Sequence, residues 1–440
     1  MTRSIITFAS VAAFGFISFC LTSFAGASLV TAAELERATP ESVGMSAKGL
    51  EELKTKMTEM VTTGRRAGIV YAVARDGKLV ASEAIGKRDL ERNLPMEADT
   101  SFRIYSQSRA ITAAATLTLL EEGKLALADP VSKYIPEFAQ TPVLKGDGTT
   151  NTEPQKQPLS VFHLFTYTAG FGYAPSWPKE LGLKQSDVIN LNKPLADGIR
   201  QLATWPLIDQ PGSKWRYGFS GDVLGRVAEV ASGKPLNAVL QERLLSPLKL
   251  KNTNFWISPE QLERHDLANV YTPGPDGKLI DMTAKATPLS TFTKPGPFFS
   301  GGGGLVSTVP DYLRFAQMLL NEGELDGVRI LRAETVREML KRQTTAEQGD
   351  VYWYDPDAFP TVKGFGWGLS IGVRPDNAGP EIPGKPGEKG WAGLANTLFF
   401  INTKERIVAV AMAQYVGPNA GELNFAFRDG VYAAIAKSRQ

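Results

Sequence analysis

"FRIYSQSRAITAAATLTLLEEGKL", Phe102 to Leu125, sets a serine, Ser106, directly before a run that is apolar nearly all round. Ile111, Ala113, Ala114, Ala115, Leu117, Leu119 and Leu120 cover the sides of a predicted helix, and a helix of that kind belongs in a core. Gly123 is its natural C-terminal stop. A serine at the start of such a helix sits in the positive end of the dipole, which favours negative charge on its oxygen and on a nearby oxyanion. The residue three positions on lies one turn away on the same face. A desolvated lysine there could take the serine proton. The residue is Arg109, whose guanidinium keeps its own proton. On this stretch alone the simpler reading of Ser106, a helix cap, prevails.

Working outward, Ser46 is placed to cap a helix over "AKGLEELKTKMTEMV", with Leu50, Leu53, Met57, Met60 and Val61 on one face. "GIVYAVARDGKLVASEAIG" reads as two strands around the turn Asp76-Gly77. "NTLFFINTKERIVAVAMAQ" predicts a second hairpin, and "LNFAFRDGVYAAIAKS" a closing helix. A further helix, "DVLGRVAEVASG", follows "KWRYGFS", with Asp222 or Ser220 as its cap and Gly233 as its end. "SGGGGLVSTVPDYLRFAQMLL" runs from a glycine turn into another, with Pro310 in its first turn. Strands at both ends of the chain and helices between them predict an α/β fold of the α+β type. Its antiparallel sheet would be assembled from both chain ends and flanked by helices, with an inserted, mainly helical domain. The expected divisions are a leader over 1–33, an α/β domain from 34–110 with 295–440, and a helical domain over 111–294. Residues 144–158 and 344–364 read as long loops, which in compact domains are often functional.

The chain has 440 residues, 43% hydrophobic and 21% charged, with a formal net charge of +2 and no block of one sign. Nucleic-acid binding usually leaves a basic stripe, and none is present. Arg3 is the only charge before Glu34, an apolar run follows from Ile5 to Leu21, and small residues end at "TAA". This predicts a secretory signal peptide with Ala27 and Ala33 as candidate cleavage positions, and a periplasmic or secreted product with no stable membrane span. The single cysteine, Cys20, falls inside the leader, so the mature chain has no disulfide, no cysteine nucleophile and no thiolate metal ligand. His163 and His265 are the only histidines. That count argues against a His-rich zinc site and leaves serine chemistry two choices: one of these histidines, or no histidine at all. His163 reads as a core or capping residue and His265 as a solvated one.

Several segments, in order, resemble the serine β-lactamase and penicillin-binding superfamily. They are "FRIYSQSRAITAAATLTLLEEGKLALADPVSKYIPEF", "PGSKWRYGFSGDVLGRVAEVASGKPL", "FFSGGGGLVSTVPDYLRFAQMLLNEGELDGVRIL" and "GWAGLANTLFFINTKERIVAVA". The likeness is nearest to the family VIII carboxylesterases and the class C β-lactamases. The first segment matches the S-x-x-K segment and the second the one with the catalytic tyrosine. In the last, Trp391-Ala392-Gly393 stands for the lactamases' K-T-G. The resemblance implies Ser106 as nucleophile and Tyr217 as general base and later acid. It also implies an oxyanion hole from the N–H groups of Ser106 and Leu394. Trp391, with Ala392, Gly393, Tyr105 and Phe219, would then line the substrate site, the indole having no proton to exchange there.

Arg109 stands where the family has lysine. It can hold a permanent positive charge beside Ser106 and Tyr217 and so favour a phenolate, which leaves the proton transfers to the tyrosine alone. It can also fill the space and leave an impaired, binding-only protein. Phe219 replaces the asparagine that binds a substrate amide, and Ala392 lacks a hydroxyl that helps hold a β-lactam carboxylate; both departures suit an esterase. "TYTAG", Thr166 to Gly170, replaces the relatives' "THTSG". Tyr105, Tyr173, Trp177, Phe298, Phe299, Trp353, Tyr354 and Trp391 are candidates for an aromatic pocket rim, each with core packing as its alternative. The expected activity is hydrolysis of small esters through a Ser106 acyl-enzyme, with no cofactor and no metal. The alternatives are an amide, peptide or β-lactam substrate, or a non-catalytic binding protein on this fold.

Overall fold

Strand alternation explains the central layer. In the computed structural model, which describes residues 34–436 except 287, 350, 352–364 and 377–383, one eight-stranded antiparallel sheet dominates. Its strands are β1 (Gly68–Arg75), β2 (Lys78–Asp89), β3 (Leu94–Pro95), β4 (Gly366–Trp367), β5 (Gly372–Val373), β6 (Glu388–Gly393), β7 (Thr397–Asn402) and β8 (Ile407–Met412). The order is β4-β5-β6-β7-β8-β1-β2-β3. The two ends of the chain therefore meet at the middle, where β1 pairs with β8 from Val70↔Met412 to Arg75↔Ile407. Both expected hairpins form, and Asp76 and Gly77 take left-handed φ values of 55° and 76° in the first turn.

Each strand sends alternate side chains to opposite faces. Ile69, Tyr71 and Val73 of β1, Leu398 and Phe400 of β7, and Ile407, Ala409 and Ala411 of β8 join one apolar cluster. That cluster is completed by α1 (Ala47–Thr62) through Leu50, Leu53, Met57 and Met60, and by the C-terminal helix through Leu423, Phe427 and Val431. Ser46 caps α1 by accepting the Gly49 N–H at 3.1 Å, as its sequence predicts. The intervening residues, Val70, Ala72, Phe399, Ile401, Val408 and Val410, face the larger cluster that holds the central helices.

The central helices that build the site are α2 (Ser108–Glu121), α3 (Val161–Thr166), α4 (Ser220–Ser232) and α5 (Val309–Leu320), and α6 (Gly421–Ala433) closes the chain. Nearly all of α2 is buried, as its all-round apolar sequence requires. The caps expected for α4 do not form. Neither Ser220 nor Asp222 bonds to its first turn; the Asp222 carboxylate reaches instead to Ser300 and Gly302, on another segment. His163 does cap, closing a reciprocal pair with Ser160 at the start of α3. His265 is exposed. Residues 143–153 fold into a short hairpin, whereas most of the long loop read at 344–364 lies outside the described residues. So do the leader expected over 1–33 and its Cys20. Among the described residues no helix is long and apolar enough to cross a membrane.

Candidate active site

Ser106 lies in a single 3-10 turn, Tyr105–Gln107, that runs directly into α2. Tyr105 enters that turn with φ +42°, a left-handed value that a non-glycine residue holds only when its surroundings impose it. The surroundings are specific. The Ile104 N–H donates to Leu305 O at 3.0 Å, the Leu305 N–H donates to Ser108 Oγ at 3.1 Å, and the Tyr312 hydroxyl donates to Gln107 O at 2.9 Å. Ser106 itself is half-buried, and no protein group hydrogen-bonds its hydroxyl among the described residues.

The end of β6 closes onto this turn. A Cβ on Gly393 would stand 2.3 Å from Ile104 O, so the approach tolerates no side chain there. A three-residue turn, Leu394 to Asn396, then leads into β7, with Asn396 left-handed at φ 66° and its N–H on Gly393 O at 3.1 Å. The Asn396 amide is fixed by Arg66 Nε at 2.6 Å and by Ala420 O at 2.8 Å. Among the described residues neither the Ser106 N–H nor the Leu394 N–H has a backbone acceptor, which leaves both free for an oxyanion.

Arg109 is completely enclosed. Its Nε donates to Tyr217 Oη at 2.8 Å, its Nη1 to Tyr167 Oη at 2.5 Å and to Gly218 O at 3.2 Å, and its Nη2 to Tyr173 Oη. The guanidinium carbon also lies 4.4 Å from the centre of the Tyr217 ring and 5.2 Å from that of Tyr167. Burial alone works against this charge, but Tyr167, Tyr173, Tyr217 and Asp222 together hold the proton on Arg109 well above the ordinary range. Burial also pushes the Tyr167 and Tyr173 phenols well up, outweighing the nearby cation, and so keeps both neutral. Glycines make the room: a Cβ on Gly221 would stand 3.0 Å from Arg109 Nη1 and 2.9 Å from Tyr167 Oη.

Tyr217 receives a second donor. Trp391 Nε1 reaches its Oη at 3.0 Å, from the β6 face opposite to that of Ala392. Rings hold the phenol in place: Tyr167 and Trp215 stack on it with centroids at 5.8 and 5.9 Å, and Trp391 tilts against it at 5.5 Å. Trp391 in turn meets Trp367 edge-on at 4.5 Å.

Ser106, the Leu394 turn, Arg109, Tyr217 and Trp391 are thus tied into one framework by β6, α2 and the segment before α4. The remaining expected site residues lie around it as packing. Tyr105 is buried against Phe292 at 5.7 Å, Phe219 packs on Tyr173 at 5.2 Å, and the Ala392 side chain joins the cluster under α1 and α6. Among the rim candidates, Trp177 and Phe298 are buried in the core, Tyr173 and Phe299 are half-buried, and Trp353 and Tyr354 fall outside the described residues. Tyr167, Trp215 and Trp367 were not expected at the site. Of these only Tyr167 left a trace in the sequence, as the tyrosine of "TYTAG" where relatives carry histidine.

A family model described as Beta-lactamase matches residues 53–431. Protein Rv1367c of Mycobacterium tuberculosis is 32% identical over 83% of this chain and 90% of its own length. Esterase EstB of Burkholderia gladioli is 30% identical over 92% of this chain and its full length. Among solved structures, EstCE1, described as a hydrolase with promiscuous acyltransferase activity, aligns with a TM-score of 0.71 at 27% identity, covering 88% of this chain and 99% of its own.

Proposed function

This chain belongs to the Beta-lactamase family, and on that premise we propose that it is a serine hydrolase that cleaves small esters through an acyl-enzyme on Ser106. One observation carries the proposal: the Tyr217 oxygen accepts N–H donors from both Arg109 and Trp391. A neutral phenol with both acceptor positions filled has little left with which to take a proton. A phenolate keeps a further lone pair, and the two donors solvate its charge. Of the three phenols on the buried guanidinium, burial holds Tyr167 and Tyr173 neutral. Tyr217 is then the phenol that serves as base, in the role the family gives to a tyrosine beside lysine.

The steps follow. Tyr217 takes the Ser106 proton as the serine oxygen attacks the ester carbonyl, and the N–H groups of Ser106 and Leu394 receive the oxyanion. On collapse, Tyr217 returns the proton to the departing alkoxide. Water repeats the sequence on the acyl-enzyme, and an alcohol in its place would give acyl transfer with no additional residue. Phe219 supports ester over amide: it is buried against Tyr173 and Trp205 and has no carboxamide to offer an amide substrate.

Turnover of a p-nitrophenyl ester by the wild type, abolished in Ser106→Ala and reduced at least about 100-fold in Tyr217→Phe, is the expected result; equal rates for wild type and Ser106→Ala would overturn the assignment. Incubation with a penicillin should leave no lasting acyl adduct by mass spectrometry, and a stable adduct would favour the amide reading. The leader read at 1–33 supports a periplasmic or secreted enzyme. Expression in an exporting host should yield a protein shortened at Ala27 or Ala33, and recovery of the full-length mass from the cytoplasm alone would refute that placement.

A further inference from the structure

The proposed mechanism makes no use of Asp222, a buried acid five residues after the base. Its Oδ1 accepts the Ser300 hydroxyl at 2.5 Å and the Gly302 N–H at 3.2 Å, which ties α4 to the glycine segment 300–304. That segment backs the nucleophile turn: Gly301 O accepts the Thr112 hydroxyl of α2 at 2.9 Å, and Leu305 bonds to both Ile104 and Ser108. The other carboxylate oxygen faces the cation. Asp222 Oδ2 lies 2.6 Å, and Arg109 Nη1 3.2 Å, from the single point that a Cβ on Gly302 would occupy. With no side chain, Gly302 lets carboxylate and guanidinium approach one buried point. The field of Asp222 joins those of the three phenols in holding the charge on Arg109.

Resting on the esterase reading above, we propose that Asp222 is a positioning residue: it is the countercharge that limits how far Arg109 stabilises a phenolate at Tyr217, and so sets the pH at which the base becomes active. Opposite charges that both approach one point shut away from water interact strongly. A carboxylate beside the guanidinium offsets part of the positive field at Tyr217, and a neutral residue would leave that field whole. The groups facing Asp222 are Arg109 from α2, Tyr173 from the loop that follows α3, and Ser300 with the Gly302 N–H from the glycine segment. Burial raises the Asp222 carboxyl, against the hydrogen bond from Ser300 and the pull of Arg109, so its own protonation enters the same balance.

Asp222→Asn keeps the shape and the Oδ1 acceptor and removes the charge. The acid limb of the kcat/KM profile is expected to move to lower pH by about half a unit or more, with little change in melting temperature. An ultraviolet titration for tyrosinate, run in a Ser106→Ala background with and without Asp222→Asn, should show the same displacement without turnover. If both curves stay in place while rate or stability falls, Asp222 is only a structural tie and the proposal is overturned. If the wild type shows no Ser106-dependent hydrolysis, the esterase reading fails, and the tyrosinate titration still decides the role of Asp222. Should Asp222→Asn not fold, Ser300→Ala serves: without that hydroxyl the carboxyl protonates more readily, and the tyrosinate curve should shift the same way by a smaller amount, an unmoved curve again overturning the proposal.

Discussion

Arg109 holds three phenol oxygens with three different nitrogens, spread over a planar fork that the compact three-donor ammonium of lysine would not match. Arg109→Lys is therefore expected to lower kcat/KM about 100-fold and to cost a few kcal/mol of stability, since charge-assisted hydrogen bonds contribute roughly 1.5–3 kcal/mol each. An ester assay with a thermal melt checks both; a large gain in rate would mean that arginine impairs an otherwise lysine-based site. Trp391→Phe removes one donor from Tyr217 and keeps a ring against Trp367. A loss of about tenfold in kcat/KM is expected, the value of one such bond, and an unchanged rate would take the indole out of the proton transfer. Ser106, Tyr217 and Arg109 could be picked out in the sequence as candidates for one site because they stand in short motifs that keep family order. Tyr167 and Tyr173 were not given their roles, because what unites them with Arg109 is packing between segments 58 and 64 residues apart. Phe219 and Ala392 were read as pocket residues because they fall in the matched motifs; the Phe219 ring packs on Tyr173, and the Ala392 side chain joins the cluster under α1 and α6.

The elements most readable in advance are those whose pattern is local: the Asp76-Gly77 hairpin, the Ser46 cap, and the all-round apolar α2. The start of α4 was misread, because a serine and an aspartate in a first turn look alike whether they cap the helix or bond across to another segment. α5 shows a related case with a measurable consequence. Asp311, in its first turn, accepts the Asn252 N–H at 2.8 Å and the Thr253 hydroxyl at 2.9 Å on Oδ2, while Oδ1 is buried with no partner. Burial, outweighing those bonds, raises its carboxyl from 3.8 to about 6. A carboxyl raised on folding favours the folded state fully below its unfolded value, and that contribution is lost as pH climbs through the folded one. Asp311→Asn should thus gain on the wild type as pH rises from about 4 to about 7, by up to about 3 kcal/mol. Urea unfolding of both proteins across that range tests it, and a difference that is flat with pH would show that the carboxyl titrates normally.

At the scale of the whole molecule, the sheet joins residues more than three hundred positions apart at its centre, where Val70 meets Met412. Neither chain end can complete the layer by itself. The cluster under α1 and α6 is what holds the two ends together on the face away from Trp391. Phe427 sits in the middle of it, fully buried and edge-on to Tyr71 at 5.6 Å and to Phe400 at 6.2 Å. Phe427→Ala leaves a cavity that the strands cannot close without shifting, and such truncations cost about 3–5 kcal/mol. Because β6 carries the Gly393 turn on the same sheet, loosening this layer should destabilise the site and the rest of the sheet together. The expected outcome is one cooperative melting transition at lower temperature, with ester kcat/KM unchanged well below it, since Phe427 belongs to the cluster on the sheet face opposite to Trp391. Two separate transitions would show that the ends of the chain and the central helices unfold independently. An early loss of activity in the folded state would show that the layer under α1 and α6 shapes the catalytic face as well as supporting it.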